Sequence, residues 1–309
     1  MEWETVFRWG KQVSAVMVVF CLAAGFMAAC QAQASAPIVI LYSSPTPTVT
    51  QTPMPATPTL TPTPSPQPSP TARLGCADQH GATTSLQVMT KGFAKAMDVI
   101  VYQPPCYADT YTGGYPVLYL LHGQSFTDDQ WGRLGVPAAA DADFLSGMLK
   151  PFIVVMPRDE YYLEDWYHSS FGENLANGLV PWVDSHYHTC SQRSCRAIGG
   201  LSRGATWAVV LGISHWQLFG TVGAHSLPAS PYTEATTRDH FLAMQSQYPR
   251  LWLDIGDVDS LRPGAEKFKD YLQKYNIPFE WHLYQGGHTE VYWSAHVSEY
   301  LQWYGQAWK

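Results

Sequence analysis

Charge is scarce in this 309-residue sequence: 18 Lys and Arg stand against 25 Asp and Glu, a formal net charge of −7. That balance argues against nucleic acid as a partner, because phosphate backbones are gripped by clustered basic side chains. There is no phosphate-binding loop, and the glycines around Ser202 lack the spacing and the acidic partner of a dinucleotide fingerprint. No Cys/His cluster has zinc spacing. Nucleotide and structural-metal chemistry are thereby disfavoured, and neither a metal nor an organic cofactor is expected. No internal repeat is apparent, which argues against a solenoid or a propeller.

Two further stretches lack charge altogether. Val13 to Ala29 follows Arg8 and Lys11 and has the pattern of a signal peptide or membrane anchor. Its end, Met27-Ala-Ala-Cys30, resembles a bacterial lipobox, in which Cys30 would become the lipidated N-terminus; Met27 departs from the usual leucine. Cleavage after Ala34 or Ala36, or retention as a short membrane span, are the alternatives. Pro45 to Thr71 is a Thr/Pro alternation, in which missing N–H donors and a fixed φ leave polyproline II as the default. At roughly 3.1 Å per residue such a stalk reaches on the order of 80 Å. The expected organisation is a signal peptide with lipobox at 1–30, a disordered linker at 31–75 and one folded domain at 76–309. The protein is expected outside the cytoplasm, held at the membrane by the lipid or helix, or otherwise secreted.

Cysteine usage agrees with export. Setting aside Cys21 and Cys30 leaves Cys76, Cys106, Cys190 and Cys195, which allow three connectivities. Cys190–Cys195 would close a short loop, and Cys76–Cys106 would tie the start of the domain to its first strand; disulfides persist in oxidising compartments.

Within the domain, apolar runs near 97–103, 116–121, 152–157, 196–200, 219–224, 250–255 and 279–285 are strand candidates. Helices are expected from Pro137 to Leu149, Gly172 to His186, Gly204 to Ile213, Arg262 to Tyr275 and Glu290 to Tyr304. Alternation of this kind predicts an α/β fold, a mostly parallel central sheet with helices on both faces.

The most informative segment is Gly200-Leu201-Ser202-Arg203-Gly204, a G-x-S-x-G pattern after a short apolar run. In a nucleophile elbow this serine sits on a sharp strand-to-helix turn, with glycines where a Cβ would clash. The pentapeptide alone is weak evidence, but a matching acid and histidine follow it in the order an α/β-hydrolase requires. Leu251 to Gly256 reads as a strand, with Asp257-Val-Asp-Ser-Leu261 beyond it; Gln285-Gly-Gly-His288 follows the last strand candidate. His288 is the candidate base. Upstream, His122-Gly123-Gln124 ends a continuous apolar run where this fold builds half of its oxyanion hole; the other half is the N–H of Arg203. His122 itself reads as structural, and the Arg203 side chain is expected to matter little if its N–H alone is used.

With these pieces in order, the chain resembles the esterase D, feruloyl esterase and mycolyltransferase-like family of the α/β-hydrolase superfamily. The matching pieces are Val101 to Pro105, Tyr115 to Gly123 with Trp131, Val154 to Pro157, Val183 to Tyr187, Arg196 to Gly204, Gly256 to Leu261, and Gly286-Gly-His288 with Trp293. Ala205 departs from the second glycine many members carry. The resemblance implies Asp259 as the acid, with Asp257 the runner-up, and Asp254 inside a strand. It implies a serine esterase that hydrolyses small-molecule or carbohydrate esters through Ser202, His288 and Asp259. The alternatives are an acyltransferase with the same three residues, or a non-catalytic glycan-binding module. Trp131, Trp166, Tyr167 and Trp293 are expected at the catalytic end of the sheet, where rings could stack on an aromatic acyl group or a sugar.

Overall fold

The computed structural model describes residues 77–108 and 111–309. The expected signal segment, Cys30, the Thr/Pro stretch and Cys76 lie outside the described residues.

Eight strands form one sheet: β1 (Ala82–Val88), β2 (Met97–Gln103), β3 (Val117–Leu121), β4 (Ile153–Pro157), β5 (Arg196–Leu201), β6 (Thr221–His225), β7 (Arg250–Gly256) and β8 (Glu280–Tyr284). Their spatial order is β1-β2-β4-β3-β5-β6-β7-β8. β1 and β2 run antiparallel, and every pairing from β4 to β8 is parallel. The helices are α1 (Gln130–Arg133), α2 (Val136–Leu145), α3 (Phe171–Asn174), α4 (Val180–His186), α5 (Arg203–Ser214), α6 (Glu234–Ala243), α7 (Arg262–Lys274) and α8 (Glu290–Gln306). A π-helical turn at Leu175–Leu179 joins α3 to α4. This is an α/β-hydrolase sheet.

Residues of β3 and β4 are buried throughout, as expected of parallel strands covered on both faces. Their side chains alternate: Val117, Tyr119 and Leu121 pack with α3 to α7, whereas Leu118 and Leu120 pack with α2 and α8. Each fully buried Leu or Val contributes about 1.5–3 kcal/mol relative to exposure, so this continuous apolar run sets the middle of the sheet. Tyr304 of α8 reaches the sheet where Gly199 and Gly223 leave room; a Cβ at either glycine would overlap its hydroxyl.

All seven strand candidates form. β1 was not anticipated, because its sequence ATTSLQV begins with four exposed residues and no apolar run. Helix α6 was also missed: it buries Thr237 and Phe241 and no full stripe. Its one local signal is Thr233, whose side chain accepts from the Thr236 N–H.

Cys190 and Cys195 are disulfide-bonded, with Cα atoms 5.8 Å apart. Cys106 is also disulfide-bonded. It follows β2, the second strand of the sheet, and not the first as expected.

Parallel strands bring their C-terminal ends to one edge, where open α/β sheets hold ligands. That edge carries His122 to Gln124 after β3, Ser202 after β5, Asp257 to Asp259 after β7 and Gly286 to His288 after β8.

Candidate active site

Ser202 adopts φ 56° and ψ −121°, a conformation few non-glycine residues hold. Its N–H donates to the His225 carbonyl of β6 at 2.9 Å, which fixes the turn. The turn needs both flanking glycines. A Cβ at Gly200 would strike the Gly204 backbone, and one at Gly204 would strike the Leu121 carbonyl of β3.

Ser202 Oγ lies 2.8 Å from His288 Nε2, and His288 Nδ1 lies 2.8 Å from Asp259 Oδ2. The carboxylate must accept at Nδ1–H, which leaves Nε2 free to accept the serine proton. The Asp259 side chain is fully buried, and its other oxygen accepts the Leu261 N–H at 2.9 Å. Asp257, the runner-up, accepts instead from the Gly286 N–H at 2.9 Å and so steadies the histidine loop. Asp254 lies within β7, buried.

The Arg203 N–H opens α5 and the Gln124 N–H follows β3; neither has a hydrogen-bond partner among the described residues. His122, just after β3, is buried. Its Nδ1–H donates to the Gly123 carbonyl at 2.7 Å, and its Nε2 accepts the Asp159 N–H at 2.8 Å. Burial, partly offset by the Gly123 carbonyl and Asp159, holds this imidazole below its ordinary pKa.

The aromatic expectations divide. Trp166 keeps part of its surface open and meets Tyr167 and Tyr232 edge-on, with centroids 5.6 and 5.5 Å away. Tyr167 is 61% exposed. Trp131 and Trp293 cannot stack on a ligand: they are 1% and 3% exposed. Trp131 donates to the Leu121 carbonyl at 3.0 Å and is a core residue. Trp293 donates to Ser226 Oγ at 3.0 Å and sets its ring edge-on to His288 at 4.9 Å, behind the imidazole.

Among the described residues no group of three or more His, Cys, Asp or Glu could hold a metal ion. No helix among them is long and apolar enough to cross a membrane.

The sequence profile of the family described as "Putative esterase" matches residues 90–304, most of the chain. The chain belongs to this esterase family. An esterase of Mycobacterium tuberculosis is 23% identical over 232 residues, 57% of this chain and 49% of its own length. This chain thus spans about half the length of the curated relatives it matches first. A solved ferulic acid esterase superposes with a TM-score of 0.67 at 22% identity, covering 75% of this chain and 100% of that one. A ferulic acid esterase from Anaeromyces mucronatus, in complex with ferulic acid, gives 0.64 at 21% identity over 74% of this chain and 93% of that one.

Two contributors to this candidate site, Gln130 and Asp159, were invisible in the sequence. Gln130 Oε1 accepts the Gly123 N–H at 2.8 Å, and its Nε2 donates to Glu290 at 3.1 Å, joining the loop after β3 to α8. Asp159 accepts from the Arg203 side chain at 2.7 Å, so that side chain is engaged across the site.

Proposed function

We propose that this protein is an exported serine esterase acting on small carboxylic esters. The observation that carries the reading is the unbroken series Ser202, His288, Asp259, with two 2.8 Å contacts beneath a strained elbow. Ser202 Oγ attacks the ester carbonyl as His288 takes its proton. Asp259 holds the imidazole in the productive tautomer and stabilises the imidazolium. The N–H groups of Gln124 and Arg203 receive the oxyanion, the alcohol leaves with the proton from His288, and water releases the acyl group by the same steps reversed.

An aromatic acyl group is the best-supported substrate class. Trp166, Tyr167 and Tyr232 form a partly open aromatic cluster on loops after β4 and β6, at the catalytic edge. Solved structures of similar fold include ferulic acid esterases. The uncharged N-terminal stretch and Met27-Ala-Ala-Cys30 support export with a lipid on Cys30. Two chains of a diacylglyceryl group suffice for stable anchoring where one does not.

Full-length protein assayed on p-nitrophenyl acetate and methyl ferulate tests the reading, with Ser202→Ala as control. Hydrolysis that persists in Ser202→Ala, or needs an added divalent metal, would overturn it. Cys30→Ser should abolish labelling by a fatty-acid probe; wild-type protein found wholly in the medium would refute the anchor.

A further inference from the structure

Resting on that reading, we propose that Asp159, paired with the Arg203 side chain, is a positioning residue that locks the two halves of the oxyanion hole to each other. The halves come from different strands. The pairing of β3 with β5 ends at Leu121 and Gly200, so the ladder does not hold the segments beyond it. Asp159, in the loop after β4, spans that gap and is 3% exposed.

On one side the Asp159 N–H donates to His122 Nε2, and His122 Nδ1–H holds the Gly123 carbonyl. That carbonyl and the Gln124 N–H belong to one planar trans peptide, so fixing the C=O aims the N–H the opposite way. On the other side Asp159 Oδ2 accepts from Arg203 Nε at 2.7 Å and Trp207 Nε1 at 2.9 Å. Arg203 also donates to the Tyr161 carbonyl at 3.1 Å, while the Tyr161 N–H donates to Asp159 Oδ1 at 2.9 Å. The first turn of α5, which carries the Arg203 N–H, is thereby pinned to the same carboxylate that steers Gln124.

Charge adds a second role. A buried carboxylate close to the site opposes the negative charge that develops on the substrate oxygen, and low local dielectric magnifies that opposition. The Arg203 guanidinium cancels it. Exchanging a buried ion pair as a pair is often neutral for stability, whereas removing Arg203 alone leaves a buried charge unpaired and lowers stability as well, so the clamp is read in kcat and in oxyanion binding of the folded protein.

The test uses the full-length protein. Arg203→Met keeps the backbone N–H, removes the clamp and leaves Asp159 unneutralised. It should lower kcat about 10- to 100-fold with KM within about threefold, less than or equal to the loss of an oxyanion donor outright. The Ki of a trifluoromethyl ketone, which forms a tetrahedral oxyanion on Ser202, should weaken by the same factor. Binding of the matching alcohol, which forms no adduct, should not change. Adding Asp159→Asn to Arg203→Met should recover part of the lost kcat. If Arg203→Met does not fold, Arg203→Gln, which also removes the charge and keeps the backbone N–H, is read in its place, with the same split between ketone and alcohol expected. An Arg203 variant with kcat within about twofold of a Ser202-dependent wild type overturns the clamp alone, as does equal weakening of ketone and alcohol. A wild-type protein with no Ser202-dependent hydrolysis overturns the esterase reading and the clamp together.

Discussion

Asp254→Asn should be among the most damaging single substitutions in the domain, although Asp254 touches no part of the Ser202–His288–Asp259 series. Its carboxylate is buried and accepts four hydrogen bonds. Oδ1 takes His225 Nδ1 at 2.6 Å and Trp252 Nε1 at 2.8 Å; Oδ2 takes the hydroxyls of Tyr292 at 2.8 Å and Tyr300 at 2.9 Å. An amide leaves at least one of these four groups without its partner. With its NH2 toward the tyrosines, both hydroxyls must turn from donor to acceptor and strand their protons. With its NH2 toward the rings, it meets the Trp252 N–H, which can only donate. One or two orphaned buried donors at about 1–3 kcal/mol each give a loss of about 1–6 kcal/mol. For a domain of this size that lowers Tm by roughly 2–20 °C. Urea titration is the assay: the midpoint should fall with an unchanged slope. Burial on its own would raise the Asp254 carboxyl, but His225 beside it and the bonds from His225, Tyr292 and Trp252 hold it below the ordinary 3.8. Its contribution is therefore complete above that value and lost as pH falls through the depressed folded-state value, and the variant should lack this acid limb. A destabilisation under about 1 kcal/mol would refute the reasoning.

Asp259→Asn should lower kcat by about 10⁴ with the fold intact by circular dichroism, because the imidazole would settle in the wrong tautomer. Burial holds His122 and His282 below the ordinary 6.5, so the unfolded chain takes up protons first on acidification. Stability should fall as pH drops below 6.5 toward the folded-state values, and His122→Gln should flatten that slope in urea titrations at pH 7 and 5. Trp131→Ala should cost about 3–5 kcal/mol of stability and leave KM for the surviving folded enzyme unchanged. Trp166→Ala should do the reverse, raising KM for methyl ferulate and not for p-nitrophenyl acetate, with little change in Tm.

The central strands were legible because a parallel strand buried on both faces must be written as an uninterrupted apolar run, as in Val117–Leu121. The elbow was legible because its backbone admits few residues at Gly200 and Gly204. Order along the chain then brought out His288, and the family resemblance singled out Asp259 over Asp257. What the sequence hid was long-range. Asp159 meets Arg203 across 44 positions and Gln130 meets Glu290 across 160, and no local spacing signals either pair. Trp131 and Trp293 were misread for a related reason. Whether an indole faces a ligand or the core depends on a distant acceptor, here Leu121 and Ser226. Strand β1 and helix α6 escaped because elements that bury little carry little apolar period.

The socket that Gly199 and Gly223 leave for Tyr304 has a consequence for the order of assembly. Its occupant lies about a hundred positions later in the chain than Ser202, as does most of α8. At about 5–20 residues per second, the nucleophile strand leaves the ribosome roughly 5–20 s before the helix that completes its neighbourhood. During that interval the chain carries a serine without a base and a sheet with one apolar face uncovered. Docking of α8 covers the face and, through Thr289 and Glu290, brings His288 with it. Nascent chains therefore risk aggregation before they can risk unwanted hydrolysis, and competence arrives with the last helix.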